Sequence, residues 1–420
     1  MDNKENKQVT RRQFMRDSTL AAAVLSSAFA SAEAVSGQNA EKKPQQPKLP
    51  QVPRRKLGKT GIEVPCLALG TMFNLVDSQI VLRNTIKWGV KYWDTAYNYA
   101  GGNSELGIGK YLLKNPEVRK ELFIATKASG ARTVADVEKR LQSSLKRLNT
   151  KYIDLYYAPH GASDPGQLTD ELKQWAESAK KRKLIRYFGF TTHKNMANCL
   201  AAAARLDWID AIMTSYNFRL MQDSKLLDAI EACHKAGIAI IAMKTTGRTT
   251  IKRFKLEIET EADKKLVRNF IQRDFSPEQA AIKLVLQDKR ISAAPVQMEN
   301  VSIITKNVAA VLDKTKLTQT DIEVFNEYAH ATCDGYCAGC ADICDSALPD
   351  TPYVSDIMRY LMYHNSYEHH DRARELFAQI PVKVRNRLLS LDYRLAESRC
   401  PQHLPIGRLV AEAVSKLASV

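Results

Sequence analysis

No apolar run in this 420-residue chain reaches the roughly 18 residues that a membrane-spanning helix needs, so no span is expected in the mature chain. No basic tract stands out either, although the formal charge is +16, and nucleic acid is therefore not an expected partner. The first 34 residues hold five Lys/Arg against four Asp/Glu, so the excess belongs to a mildly basic, solvated body. No G-x-G-x-x-G turn follows the first apolar run, "LALGTMFN", which argues against a doubly wound dinucleotide fold. Cysteine is sparse until the last 90 residues, where five of the eight fall. Apolar residues make up 45%, enough for one large domain and something smaller.

What is present is an alternation. Eight short β-branched or aromatic runs, "CLALGT", "KYWDTA", "LFIATK", "IDLYYAPH", "IRYFGF", "AIMTSYN", "IAIIAMK" and "ISAAPVQ", are separated by amphipathic stretches. "DSKLLDAIEACHKAG" closes on Gly237 as a helix C-cap, and "SPEQAAIKLVL" opens with Ser276 as N-cap and Pro277 at the first helical position. Eight such units over about 260 residues predict a parallel (β/α)8 TIM barrel. "RKLGKTGIEVP" predicts a hairpin across its floor. The expected organisation is a leader over 1–34, a Pro-rich linker over 35–52, the barrel over 53–315 and a small, mainly helical, cysteine-rich domain over 316–420.

Chemistry in such barrels gathers at the carboxyl ends of the strands. Those ends carry Asp94, Lys127, His160, Thr191, Tyr216 with Asn217, Lys244 and Gln297. Asp94 and Lys127 end adjacent strands, so they are expected to pair, and the ammonium is expected to lower the pKa of a nearby phenol. Tyr99, five residues beyond Asp94, is the candidate phenol. It would protonate a carbonyl oxygen while hydride reaches carbon, with His160 holding that oxygen.

"DTAYNY", "GNSELGIGKYL", "IATK", "SYN" and "AMK", with the opening "RKLGKTGIEVPCLALGT", resemble the aldo-keto reductase family from residue 54 to about 310. The resemblance implies catalytic roles for Asp94, Tyr99, Lys127 and His160. It also implies a nicotinamide dinucleotide, NADP(H) by default with NAD(H) possible because Glu299 would repel a 2′-phosphate. Tyr216 would then stack on the nicotinamide, Thr191 and Asn217 would lie near its carboxamide or support the site, and Lys244 would approach the pyrophosphate. Gln297, Asn300 and Asn307 of "VQMENVSIITKN" would face the adenosine phosphate. The histidine stands six residues after Asp154 where relatives have five, and a bulge at Pro159 would absorb the difference. The expected reaction interconverts a small carbonyl and an alcohol; the rival reading is a non-catalytic nucleotide-binding redox sensor or electron-transfer protein.

Two further segments carry signals. "TRRQFMRDSTLAAAVLSSAFASAEA" has paired arginines, Phe14 and two A-x-A sites ending at Ala32 and Ala34. It resembles a twin-arginine signal, so the export machinery is an expected partner and the location is periplasmic or otherwise extracytoplasmic. "CDGYCAGCADIC" places Cys333, Cys337, Cys340 and Cys344 in one loop, with Cys400 far downstream before Pro401. Such spacing suits one 4Fe-4S cluster, with zinc and disulfides as alternatives. The ligand set is Cys333, Cys337 and Cys340 with either Cys344 or Cys400; the Cys-Pro terminus favours Cys400. The tail resembles the ferredoxin-like extension of some aldo-keto reductases, and a redox partner would follow from a cluster. The other three cysteines, Cys66, Cys199 and Cys233, fall in core patterns.

Overall fold

The computed structural model describes residues 49–247, 261–271, 275–332, 336–367, 369–400 and 402–418. The leader, most of the linker and Cys333 lie outside the described residues.

Two short strands, β1 (Arg54–Lys56) and β2 (Glu63–Pro65), pair antiparallel. Lys59 N–H donates to the Gly237 carbonyl at 2.7 Å, which seats this hairpin against the amino end of a barrel strand. Gly58 there has φ +52, and a Cβ on it would stand 2.2 Å from the Gly237 oxygen, so only glycine lets the hairpin close so tightly.

The barrel consists of β3 (Leu67–Gly70), β4 (Tyr92–Asp94), β5 (Phe123–Lys127), β6 (Ile153–Ala162), β7 (Ile185–Thr192), β8 (Ala211–Ser215), β9 (Ala239–Met243) and β10 (Ile291–Gln297). All pair in parallel and β10 closes onto β3, which makes the predicted TIM barrel. Its strands are buried on both faces, which is why they read as continuous apolar runs. Tyr92, Phe123, Leu155, Tyr157, Met213 and Ile241 fill the inside, while a larger cluster including Trp93, Ile124, Tyr156 and Phe188 cements strands to helices. Cys66, Cys199 and Cys233 sit buried in that outer layer. The helix Pro277–Gln287 starts at Ser276 with a capping box and Pro277 in its first turn, and Gly237 takes φ +74 after Ser224–Lys235.

The helix Gln319–Ala331 departs from the expected boundary. Its Val324, Phe325 and Tyr328 pack with Phe218, Leu266, Phe270 and Phe275, so it covers the flank of the barrel rather than joining the cysteine-rich unit. The latter begins beyond residue 332. There the helices Val354–Tyr367, His370–Ala378 and Ile406–Leu417 enclose a second core with Ile357, Met358, Leu361, Phe377 and Val410. No described helix is long and apolar enough to cross a membrane.

This unit is fastened to the carboxyl end of the barrel. Asn195 N–H donates to the Gly339 carbonyl at 2.8 Å, and Asp342 N–H donates to Asn195 Oδ1 at 2.8 Å. Lys194 pairs with Asp356 at 2.9 Å and Asp345 at 3.4 Å, and Arg359 donates to the His193 carbonyl at 3.1 Å.

Candidate active site at the barrel mouth

Strand register builds the centre. Asp94 stands opposite Ala125, and Lys127, two residues along, projects from the same face of β5. Lys127 Nζ donates to Asp94 Oδ2 at 2.7 Å and to the Thr95 carbonyl at 2.7 Å, both side chains being almost wholly buried. The ammonium lies 4.7 Å from the centroid of the Tyr99 ring. His160 completes the group, its ring 6.3 Å from that of Tyr99 and edge-on to it. The β6–β7 register shifts on either side of His160, so the extra residue after Asp154 is taken up at the strand end and the imidazole faces the tyrosine. Ser129, two residues beyond Lys127, fixes that ring through a 2.7 Å contact to Nδ1, a partner that sequence reasoning had not singled out.

The electrostatics differ from the expected lowering of the phenol. Burial raises the Tyr99 hydroxyl above its ordinary value, and the opposing pull of Lys127 does not cancel it. Burial would discharge Lys127, but Asp94 and Tyr99 outweigh it and hold the ammonium protonated. Asp94 Oδ1 is buried and accepts no hydrogen bond among the described residues.

The other candidates divide. Thr191 is buried at the end of β7, its hydroxyl accepting from Gly161 N–H at 2.8 Å. Lys244 follows β9 with φ +58, a left-handed turn unusual for a side chain with a Cβ. Burial, with the nearby charge of Arg359, brings its ammonium down to about 7. Gln297 closes β10 and donates to the Glu299 carboxylate. Asn300 caps the helix Val301–Leu312 by accepting from Ile303 N–H at 3.0 Å, and Asn307 is buried within that helix.

Tyr216 is not placed to stack on a nicotinamide. It is buried in the layer between barrel and helices, and its hydroxyl donates to Asp288 at 2.7 Å. Met243, at the end of β9 and packed on the barrel interior, is the apolar surface that reaches the mouth instead. Asn217 supports rather than contacts. Its amide donates to the Lys244 carbonyl at 3.0 Å and the Tyr336 hydroxyl at 2.8 Å, while Oδ1 accepts from Arg219 N–H at 3.0 Å.

The cysteine-rich unit reaches the same mouth. Lys244 Nζ lies 5.9 Å from the Tyr363 ring centroid, and Tyr363 acts electrostatically on Tyr99 as Arg372 does on His160. Cys337, Cys340, Cys344 and Cys400 line one apolar cavity with Met358 and Leu404. Burial pushes the thiols of Cys337, Cys340 and Cys344 up, Cys340 to about 12, and neighbouring thiols add to the shift. None of these four is in a disulfide, and among the described residues no three His, Cys, Asp or Glu side chains converge as ligands of one ion would. Among the described residues, the adjacent His369 and His370 form no such group with a third residue.

The profile of the aldo/keto reductase family matches residues 67–329. The aldo-keto reductase yakc [NADP(+)] of Schizosaccharomyces pombe is 30% identical over 217 residues, covering 47% of this chain and 62% of that protein. L-galactose dehydrogenase of Arabidopsis thaliana is 26% identical over 288 residues, covering 63% and 89%. Among solved structures, holo aldo-keto reductase AKR11C1 from Bacillus halodurans superposes with a TM-score of 0.55 at 22% identity, over 66% of this chain and 96% of that one. The thermostable aldo-keto reductase Tm1743 gives 0.54 at 24%, over 66% and 100%. At these identities the structures establish the fold.

Burial and the charges of Lys127 and Arg372 push His160 down to about 3. A free imidazole titrates near about 6.5, so the unfolded chain binds this proton more readily. His160 therefore withdraws stability as pH falls below about 6.5, a loss complete near its folded value. Its ring nitrogens should keep neutral chemical shifts by nuclear magnetic resonance from about pH 8 to 5; a midpoint near 6 would contradict this placement.

Proposed function

The chain belongs to the aldo/keto reductase family, and from that premise we propose that it is an NADP(H)-dependent oxidoreductase interconverting a small carbonyl and its alcohol, with Tyr99 as proton donor and acceptor. The observation that carries the reading is the Lys127 ammonium, held by Asp94 at 2.7 Å and set against Tyr99, with His160 beyond. When bound, the nicotinamide supplies or accepts the hydride. Lys127 stabilises negative charge on Tyr99 as the phenol gives its proton to the carbonyl oxygen, and neutral His160 can hydrogen-bond that oxygen. In the alcohol direction the same groups recover the proton.

Three features fit the nucleotide. The unmatched Asp94 Oδ1 suits a ribose hydroxyl, and Met243 offers an apolar face to a ring. The amino end of the helix Val301–Leu312 favours a phosphate. The S. pombe relative is an NADP(+) aldo-keto reductase, which favours NADP over NAD here, and measuring the two affinities separates them. A purely regulatory nucleotide sensor would not need the Lys127–Tyr99 pairing.

The cavity lined by Cys337, Cys340, Cys344 and Cys400 completes the proposal as the seat of one 4Fe-4S cluster. Zinc, which holds sulfur at about 2.3 Å, is the rival occupant of the same thiols. These four thiols form a full ligand set without Cys333, and Cys344 and Cys400 are then partners rather than alternatives. A bound cluster stores one electron at a time and would exchange it with a redox partner. The paired arginines Arg11 and Arg12 make twin-arginine export to the periplasm part of the reading, because that route carries proteins already folded around a cofactor.

Tyr99→Phe should lower the turnover of an aromatic aldehyde by about 10²–10⁴-fold while leaving NADPH affinity within about twofold; unchanged turnover would remove Tyr99 from the reaction. Protein isolated anaerobically from the periplasm should absorb broadly near 400 nm and bleach with dithionite. Cys400→Ser should lose that band and Cys333→Ser should keep it. A colourless wild-type protein, or one retained in the cytoplasm with Arg11 and Arg12 intact, would remove the cluster or the export route.

A further inference from the structure

Besides the contacts of Lys194, Asn195 and His193, the barrel and the cysteine-rich unit share a buried hydrogen bond beside Lys244. Tyr336 is 2% exposed, and its hydroxyl accepts from Asn217 Nδ2 at 2.8 Å. The other proton of the same amide goes to the Lys244 carbonyl at 3.0 Å, and Asn217 itself is fully buried. An amide nitrogen has two protons, so both are spent, and the orientation of the group is fixed from three sides.

The turn it holds is not one the chain adopts freely. Lys244 and Gly247 both have positive φ, and a Cβ on Gly247 would stand 2.5 Å from the Phe218 ring. Arg219 closes the other side, donating to the Gly247 carbonyl at 2.7 Å and to Thr332 Oγ1 at 2.7 Å, with its guanidinium over the Tyr336 ring. The Lys244–Gly247 turn therefore takes its shape from Asn217, Phe218 and Arg219 of the loop after β8, and Tyr336 and Thr332 hold that loop in turn.

We propose that Tyr336 is a positioning residue for the nucleotide, its hydroxyl setting the Lys244 turn through Asn217, so that the cysteine-rich unit tunes nucleotide affinity. The inference rests on the oxidoreductase reading, in which Lys244 faces the pyrophosphate. The neighbour of Tyr336 in sequence, Cys337, is one of the four thiols of the cage, so whatever orders that cage lies one residue from the bond.

Tyr336→Phe removes the hydroxyl and little else. The Asn217 amide then has a buried proton without a partner and either stays, at a cost in stability, or turns and releases Lys244. Titration of NADPH by quenching of protein fluorescence should show about tenfold weaker binding in Tyr336→Phe. The KM for NADPH should rise alike, and kcat at saturating nucleotide should stay within about twofold. In a double-mutant cycle, Asn217→Ala with Tyr336→Phe should bind NADPH no more weakly than Asn217→Ala alone. Hydrogen exchange of wild-type protein gives a readout independent of the variants: the Gly247 amide should be protected before nucleotide is added.

A lower melting temperature with unchanged NADPH affinity and KM would make Tyr336 merely structural and overturn the inference. So would additive losses in the cycle, or a Gly247 amide that exchanges freely. Wild-type protein that binds no NADPH would instead sink the oxidoreductase reading, a distinct outcome.

Discussion

The buried pair between Lys127 and Asp94 is the constraint around which the mouth of this barrel is arranged. Removing two charges from water costs more than their attraction returns unless further hydrogen bonds complete the ammonium. Here the Thr95 carbonyl supplies one at 2.7 Å, and the Tyr99 ring lies 4.7 Å from the ammonium. The pair can form because adjacent parallel strands bring Asp94 level with Ala125, two residues from Lys127 on the same face. Such a pair is weak evidence for stability and strong evidence for chemistry, since apolar residues would fill the same space at less cost.

A second constraint comes from the cover. The unit beyond residue 332 delivers Arg359, Tyr363 and Arg372 to the neighbourhood of Lys244, Tyr99 and His160, and the ion pairs of Lys194 hold it there. In this enclosed site His160 loses its proton and Lys244 comes down to about 7, while Lys127, with a carboxylate beside it, keeps its charge. The contrast between buried Lys127 and half-buried Lys244 follows from what each faces: Asp94 in one case, Arg359 in the other.

Much of this was legible in residue order. Eight buried strands show as eight apolar runs, and Ser276-Pro277 and Gly237 mark helix ends by rules that need no tertiary knowledge. Asp94, Lys127 and His160 stood out because charged or polar groups at the ends of such runs require partners. Tyr216 illustrates strand parity. Met213 points into the barrel, so Tyr216, three positions on, falls on the outward face and meets Asp288. The fate of Asn217 was not legible, because its partner Tyr336 lies 119 residues away across two packed units. Nor was the direction of the Tyr99 shift, which depends on how completely the cover excludes water. The helix Gln319–Ala331 reads as amphipathic in either location, and only its packing on Phe218 and Phe270 assigns it to the barrel.

The proposed reaction turns on Tyr99 delivering the proton beside a charged Lys127. The pH dependence of kcat for NADPH-dependent reduction of an aromatic aldehyde by the wild-type protein tests it most directly. With the Tyr99 hydroxyl raised above its ordinary value and His160 neutral throughout, the rate should hold level from about pH 6 to 9. Because Lys244 comes down to about 7, a fall with its midpoint between about pH 6 and 8 that persists in Lys244→Met would mean that another group supplies the proton, and would remove Tyr99 from that role.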